Sequence, residues 1–230
     1  MAEAGWEMNA ARDQILAAVR KAKPSTVQPN AAIGRQALLP PKLVRESRDL
    51  VALFTEKLTN VSTSVALLGS TGEIPVHLAQ WLGERGLVET PLLLSEEPAL
   101  RALDWNGAHL AAETSTPDVL APSTVISSAF AGVAETGSIA MVTNGKSRPS
   151  HNILADSHIV VLARSQIAES IEDVWRSARA QGLPRSLAFI TGASRTADIE
   201  MTIEMGVHGA VRMHVIIIND EISAAPKFSR

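Results

Sequence analysis

Two stretches of the sequence gather the residue types that chemistry uses: Glu135-Thr-Gly-Ser138, and Thr191-Gly-Ala-Ser-Arg-Thr-Ala-Asp-Ile-Glu200 with Gly206-Val-His-Gly209 behind it. In the first, a carboxylate at position 135 can act as base, nucleophile or hydrogen-bond acceptor. Gly137 lets the backbone approach a ligand closely. The second spends glycines, small hydroxyls, an arginine, a histidine and two carboxylates on a connection between apolar runs, Leu187–Ile190 and Met213–Ile218. Loops at strand ends of open sheets are the usual seat of ligand chemistry. His208, between two glycines, stands next to a tight turn. Plain structural readings remain open beside these. Glu135–Ser138 also fits a glycine turn in a hairpin or crossover with an exposed Glu. The second stretch also fits a polar turn capped by Ser194 and Thr196, with Arg195 paired to Asp198 or Glu200.

Other motifs carry less. Gly69-Ser-Thr-Gly72 joins a strand to a helix N-terminus, an anion-friendly place, but lacks the full dinucleotide-binding glycine pattern. Asn144-Gly-Lys-Ser147 ends like a phosphate-binding loop, yet position 140 is alanine and Pro149 follows where a helix must begin; the loop is rejected. His-x-x-x-His and His-Glu-x-x-His spacings do not occur, which gives a metal centre little support. His77, His109 and His214 read as packed or surface histidines. With no cysteine, the chain offers no disulfide, no thiolate nucleophile and no usual iron–sulfur ligands.

The elements that position these residues follow from periodicity. Ala10–Lys23 reads as a short amphipathic helix with cations at its end, and 26–41 as a linker. Lys42–Leu58 keeps a helical period. Apolar runs at 64–68, 91–94, 124–128, 137–142, 158–162, 187–190 and 213–218 read as strands, with 108–111 as a further candidate. Helices are expected after Gly69, where Ser70 and Glu73 form a capping box, from Ser95, and from Ser170 to Ala180 with Ser170 and Asp173 as its cap pair. Strands alternating with helices predict a doubly wound, mainly parallel α/β sheet. The domains expected are a helix and linker over 1–41, an α/β domain over 42–223 and a tail over 224–230.

Composition narrows the function classes. An apolar content of 46% suffices for a full core, and a net charge of −3 draws the chain to neither phosphate backbones nor acidic membranes. The absence of tyrosine and scarcity of other aromatics remove the stacking platforms of single-strand binders, so nucleic acid is not an expected partner. The acidic N-terminal stretch is followed by no signal-peptide core and no bilayer-length run. A cytoplasmic protein without membrane insertion is expected.

The motifs Glu135–Ser138, His158-Ile-Val-Val161, Thr191–Glu200 and Gly206–Gly209 occur in the order seen in the LUD-domain family, and the chain resembles its LutC/YkgG branch over about Leu43–Glu221. Ala155, Ala193 and Ala210 stand where many relatives carry proline. The resemblance implies a three-layer α/β/α sandwich like that of the ribose-5-phosphate isomerase and CoA-transferase (NagB/RpiA-like) superfamily. It further implies a part in oxidising L-lactate to pyruvate beside two iron–sulfur partners, LutA-like and LutB-like. A ligand site is then expected at Thr136, Gly137, Ser138, Ser194, Arg195, Thr196, Asp198 and Glu200. Oxidising a 2-hydroxy acid needs a cation for the carboxylate, a base and an electron acceptor. Arg195 offers the first by a bidentate contact, and Glu135 or His208 the second. The third is not evident in this chain; no cofactor is expected here, and the clusters are expected in the partners. The alternative is a stand-alone enzyme acting on a small anion or acyl-CoA, with Glu135 as nucleophile.

Overall fold

The computed structural model describes residues 4–22, 49–114, 123–143, 154–182, 184–196, 204–206 and 209–219. The chain forms two compact units, Met1–Pro41 and Lys42–Arg230. The first holds helix α1 (Ala4–Ala22), which starts six residues before the expected helix and ends on Arg20 and Lys21 in its last turn, where the helix dipole favours cations.

The second unit is built on six strands, β1 (Thr63–Leu68), β2 (Leu92–Leu94), β3 (Ala112–Thr114), β4 (Thr124–Ser128), β7 (Ser157–Ala163) and β12 (Arg212–Ile218). They lie in the order β1-β12-β7-β4-β2-β3. All five pairings are parallel. The central strands are near-continuous apolar runs because both of their faces are covered. On β12, Ile216 and Ile218 face one layer while Met213, Val215 and Ile217 face the other.

Helix α3 (Ile74–Gly83) and the short α4 (Pro98–Arg101) lie on the first face. There Leu78, Trp81, Leu82, Leu100 and Trp105 pack on Leu92, Ile126, Ile159 and Ile216. Helix α2 (Leu50–Asn60) covers the second, with Phe54 and Leu58 wholly buried. Burying one such side chain stabilises by about 1.5–3 kcal/mol.

The α/β/α arrangement with a parallel sheet is therefore as expected, with one addition. Strands β5 (Ala131–Val133), β6 (Ser138–Val142), β8 (Ile167–Ala168) and β9 (Leu187–Ile190) form a separate sheet, ordered β8-β5-β6-β9. Ile139 and Met141 of β6 join the α2 layer, and helix α5 (Ile171–Ala180) closes the far side through Val174. Periodicity places 137–142 and 187–190 in the main sheet. They pair instead with each other, antiparallel, because the turn at Glu135–Gly137 folds β6 back onto β5.

Smaller departures have local causes. Helix α2 begins at Leu50 because the Asp49 carboxylate accepts the Val51 N–H at 3.0 Å; residues 42–48 lie outside the described set. The strand near 108–111 lies instead at Ala112–Thr114, after a turn in which His109 takes a left-handed conformation (φ 58°). Ser95 continues the β2 ladder, donating its N–H to Ile126 O, so the helix starts only at Pro98. The linker, Asn144–Ser147 and His151 fall outside the described residues.

Candidate ligand-binding site

The two chemistry-bearing stretches meet. Glu135–Gly137 forms the turn of the β5–β6 hairpin, closed by the Gly137 N–H donating to Val133 O at 2.9 Å. The β6–β9 register pairs Ile139 with Ile190, which sets Ser138 beside Thr191. Their hydroxyls are 2.7 Å apart, and Thr136 Oγ1 lies 2.8 Å from Ser138 Oγ. A chain of three hydroxyls thus ties the hairpin turn to the loop after β9. Ser138 is buried and Thr191 exposed, so the chain runs from the interior to the surface.

The loop after β9 is folded onto the segment that returns toward β12. The Ser194 N–H donates to Ala210 O at 2.9 Å, and Ser194 O accepts from the Gly206 N–H at 3.0 Å. Beyond it, β10 (Arg195–Thr196) pairs antiparallel with β11 (Glu204–Met205). Backbone hydrogen bonds therefore hold the two motif segments together. Asp198, Glu200 and His208 lie outside the described residues.

Glu135 is a helix cap as well as a candidate reactive group. One of its carboxylate oxygens accepts the Ile171 N–H at 3.1 Å, at the first residue of α5, where helix N–H groups lack intrahelical partners and the dipole favours negative charge. Ser170 accepts from the Asp173 N–H at 3.3 Å and completes that terminus, as the sequence pair predicts. Arg195 is exposed and its guanidinium donates to the hydroxyl of Ser62, in the turn between α2 and β1. Sequence reasoning missed Ser62, and placed Thr191 in the chemistry-bearing stretch but not among the expected ligand-site residues. Thr191 carries a signal, since its register opposite Ser138 follows once the β6–β9 pairing is known. Ser62 carries none.

A second polar cluster lies on the α3 face. His214 Nδ1 is 2.8 Å from Ser64 Oγ and 3.1 Å from Ser64 O. A carbonyl only accepts, so Nδ1 holds the proton and Nε2 is bare. That nitrogen, 2.9 Å from His77 Nε2, accepts the His77 proton. The Trp81 indole N–H donates to Ser64 Oγ at 3.3 Å, and the Arg85 guanidinium lies 4.2 Å from the Trp81 ring centre. Burial, then the neighbouring His77, pushes the His214 pKa down to about 3; burial also lowers that of His77, against the pull of Glu84. Both histidines are packed neutral groups joining β1, β12 and α3. His109 is exposed.

At the opposite edge of the sheet from β1, a depression of about 320 Å³ is lined by Leu94, Arg101, Asp104, Trp105 and Ala112 among others. It receives none of the motif residues. Among the described residues, no three His, Asp or Glu side chains gather to hold a metal, and no helix is long and apolar enough to cross a membrane.

Comparison with known proteins agrees with this architecture. The LUD domain family model matches residues 51–218. The chain is similar to lactate utilization protein C of Halalkalibacterium halodurans, 34% identical over 94 residues, covering 38% of this chain and 40% of the relative. Lactate utilization protein C of Deinococcus radiodurans is 26% identical over 163 residues, 65% of this chain and 70% of the relative. The chain thus spans about two fifths of the length of relatives such as the first. A crystal structure of a duf162 family protein from Deinococcus radiodurans superposes with a TM-score of 0.56 at 19% identity, covering 74% of this chain and 96% of that one. At that identity the likeness bears on the fold.

Proposed function

The chain belongs to the LUD-domain family, and on that premise we propose that it serves L-lactate utilisation, binding a small 2-hydroxy or 2-oxo carboxylate at the loops around Ser138 and Arg195. The relatives named lactate utilization protein C support this reading. The observation that carries it is the hydroxyl chain Thr136–Ser138–Thr191, which gathers donors and acceptors from the buried Ser138 out to the exposed Thr191, at the start of the loop that four residues later presents Arg195. A guanidinium recognises a carboxylate through two parallel N–H donors; hydroxyls that donate and accept suit the 2-oxygen of lactate or pyruvate.

In this reading Thr136, Gly137, Ser138, Ser194, Arg195, Thr196, Asp198 and Glu200 form the ligand site, and Glu135 or His208 takes the hydroxyl proton. The electrons leave through LutA-like and LutB-like iron–sulfur partners, since this sequence has no cysteine to ligate a cluster. The chain is then a substrate-handling component. The alternative is a stand-alone enzyme acting on a small anion or acyl-CoA with Glu135 as nucleophile; the Ile171 N–H occupies one Glu135 oxygen and constrains the carboxylate alike as base or as nucleophile.

Anaerobic, lactate-dependent dye reduction by the two iron–sulfur proteins, with and without this chain, tests the proposal. Dependence of the rate on the chain is expected. Equal turnover without it overturns the role.

A further inference from the structure

Resting on the ligand-site reading above, we infer that the last turn of α2 with the two residues that follow it, Lys57–Ser62, is a third wall of the site and that Ser62 is a positioning residue for Arg195. This helix end is wedged between both loops. A methyl group on Gly137 (φ 70°) would lie 2.7 Å from Lys57 Cβ and 2.9 Å from its carbonyl carbon. One on Gly192 (φ 78°) would lie 2.5 Å from Val61 O. The two glycine turns that flank the hydroxyl chain therefore close on one end of one helix, and that end sets their separation.

Ser62 has the unusual conformation there. Val61 is the last cap of α2, its N–H donating to Leu58 O at 3.1 Å, and Ser62 follows with φ 58° and its N–H donating to Thr59 O at 3.1 Å. This is the position after a helix where the left-handed conformation selects glycine. A side chain there costs stability relative to glycine. A helix end chosen for stability alone would carry glycine at this position. The serine instead offers its hydroxyl to the Arg195 guanidinium. That acceptor is neutral, so it fixes one of the five guanidinium donors without neutralising the charge. Arg195 is thereby oriented on the loop that begins at Thr191, ready to meet a carboxylate. Strain held at a residue with such a contact is the pattern of a functional position.

The test uses the full chain with Ser62→Gly and Ser62→Asn. It measures three quantities: the melting temperature, binding of L-lactate by calorimetry, and the ¹⁵Nε–Hε heteronuclear NOE of Arg195. A positioning role predicts that Ser62→Gly melts at or above the wild-type temperature, binds L-lactate about tenfold more weakly, and lowers the Arg195 NOE. Ser62→Asn tolerates the left-handed backbone and keeps an acceptor oxygen, and recovers part of both losses. A purely structural serine predicts unchanged binding and NOE in Ser62→Gly, and that result overturns the inference. If the wild-type chain itself fails to bind L-lactate, the lactate reading fails, and the Arg195 NOE still decides whether Ser62 orients the guanidinium.

Discussion

The hydroxyl of Ser138 lies 2.7 Å from that of Thr191, 53 positions further along the chain. This contact joins the hairpin turn to the loop after β9, and it follows from the antiparallel β6–β9 register. Ser138→Ala removes the middle of the hydroxyl chain. Thr136 and Thr191 are solvent-accessible enough to turn to water, so the expected loss is about 1 kcal/mol, or about 2–4 °C in melting temperature for a domain of this size. Loss of lactate binding beyond that seen in a variant equally destabilised elsewhere separates ligand contact from folding.

Gly137→Ala and Gly192→Ala should be far more disruptive. Each adds a left-handed alanine, costing about 1–2 kcal/mol, and drives a methyl group into α2 or the turn that ends it, costing about 1–3 kcal/mol more. Urea unfolding of the two variants measures the sum. A loss under about 1 kcal/mol in either one shows that this helix end does not buttress that loop.

The layers of this fold are legible in its sequence where burial on both faces writes unbroken apolar runs, as at Val160–Leu162 and Val215–Ile218. The capping pairs Ser70/Glu73 and Ser170/Asp173 are equally plain, because they are local chemistry. Partner choice is not local. The runs 138–142 and 187–190 look like members of the main sheet, and only the reversal at Gly137 makes them an antiparallel pair. The Glu135 side chain reads as a reactive carboxylate, whereas its bond to the Ile171 N–H depends on the placement of α5. Nothing at Val61-Ser62-Thr63 marks the left-handed backbone that brings Ser62 to Arg195. His214, alone among branched apolar residues, is the one visible sign of the His77–Ser64 network.

That network makes stability depend on pH. His214 and His77 have folded pKa values below the ordinary 6.5, that of His214 at about 3. As pH falls below 6.5 the unfolded chain takes up protons that the folded chain refuses. Stability is therefore full above pH 6.5 and declines toward pH 3, with His214 contributing a loss of up to about 3 kcal/mol by pH 4. Urea midpoints from pH 7.5 to 4 report the slope. His214→Gln should flatten it while lowering stability at neutral pH, and an unchanged slope contradicts the assignment.

Glu135 can be divided into its two roles by substitution. Glu135→Ala removes the acceptor of the Ile171 N–H and should cost about 1 kcal/mol, as for a lost helix cap. Glu135→Gln keeps an acceptor oxygen and should restore most of that. If Glu135→Gln also supports full lactate-dependent turnover with the partners, the carboxylate acts as neither base nor nucleophile, and the proton falls to His208. A covalent acyl adduct on Glu135, trapped by hydroxylamine, would instead favour the acyl-CoA alternative.

The most direct measurement is anaerobic lactate-dependent dye reduction by the proposed LutA-like and LutB-like iron–sulfur partners, supplemented with the wild-type chain or with Arg195→Ala. Arg195 is exposed, so its removal should leave the melting temperature nearly unchanged. The wild-type chain should restore turnover, and Arg195→Ala should raise the lactate concentration needed for half-maximal rate by about tenfold or more, as for a lost charged hydrogen bond. Equal rescue by the two proteins at every lactate concentration would contradict the proposal.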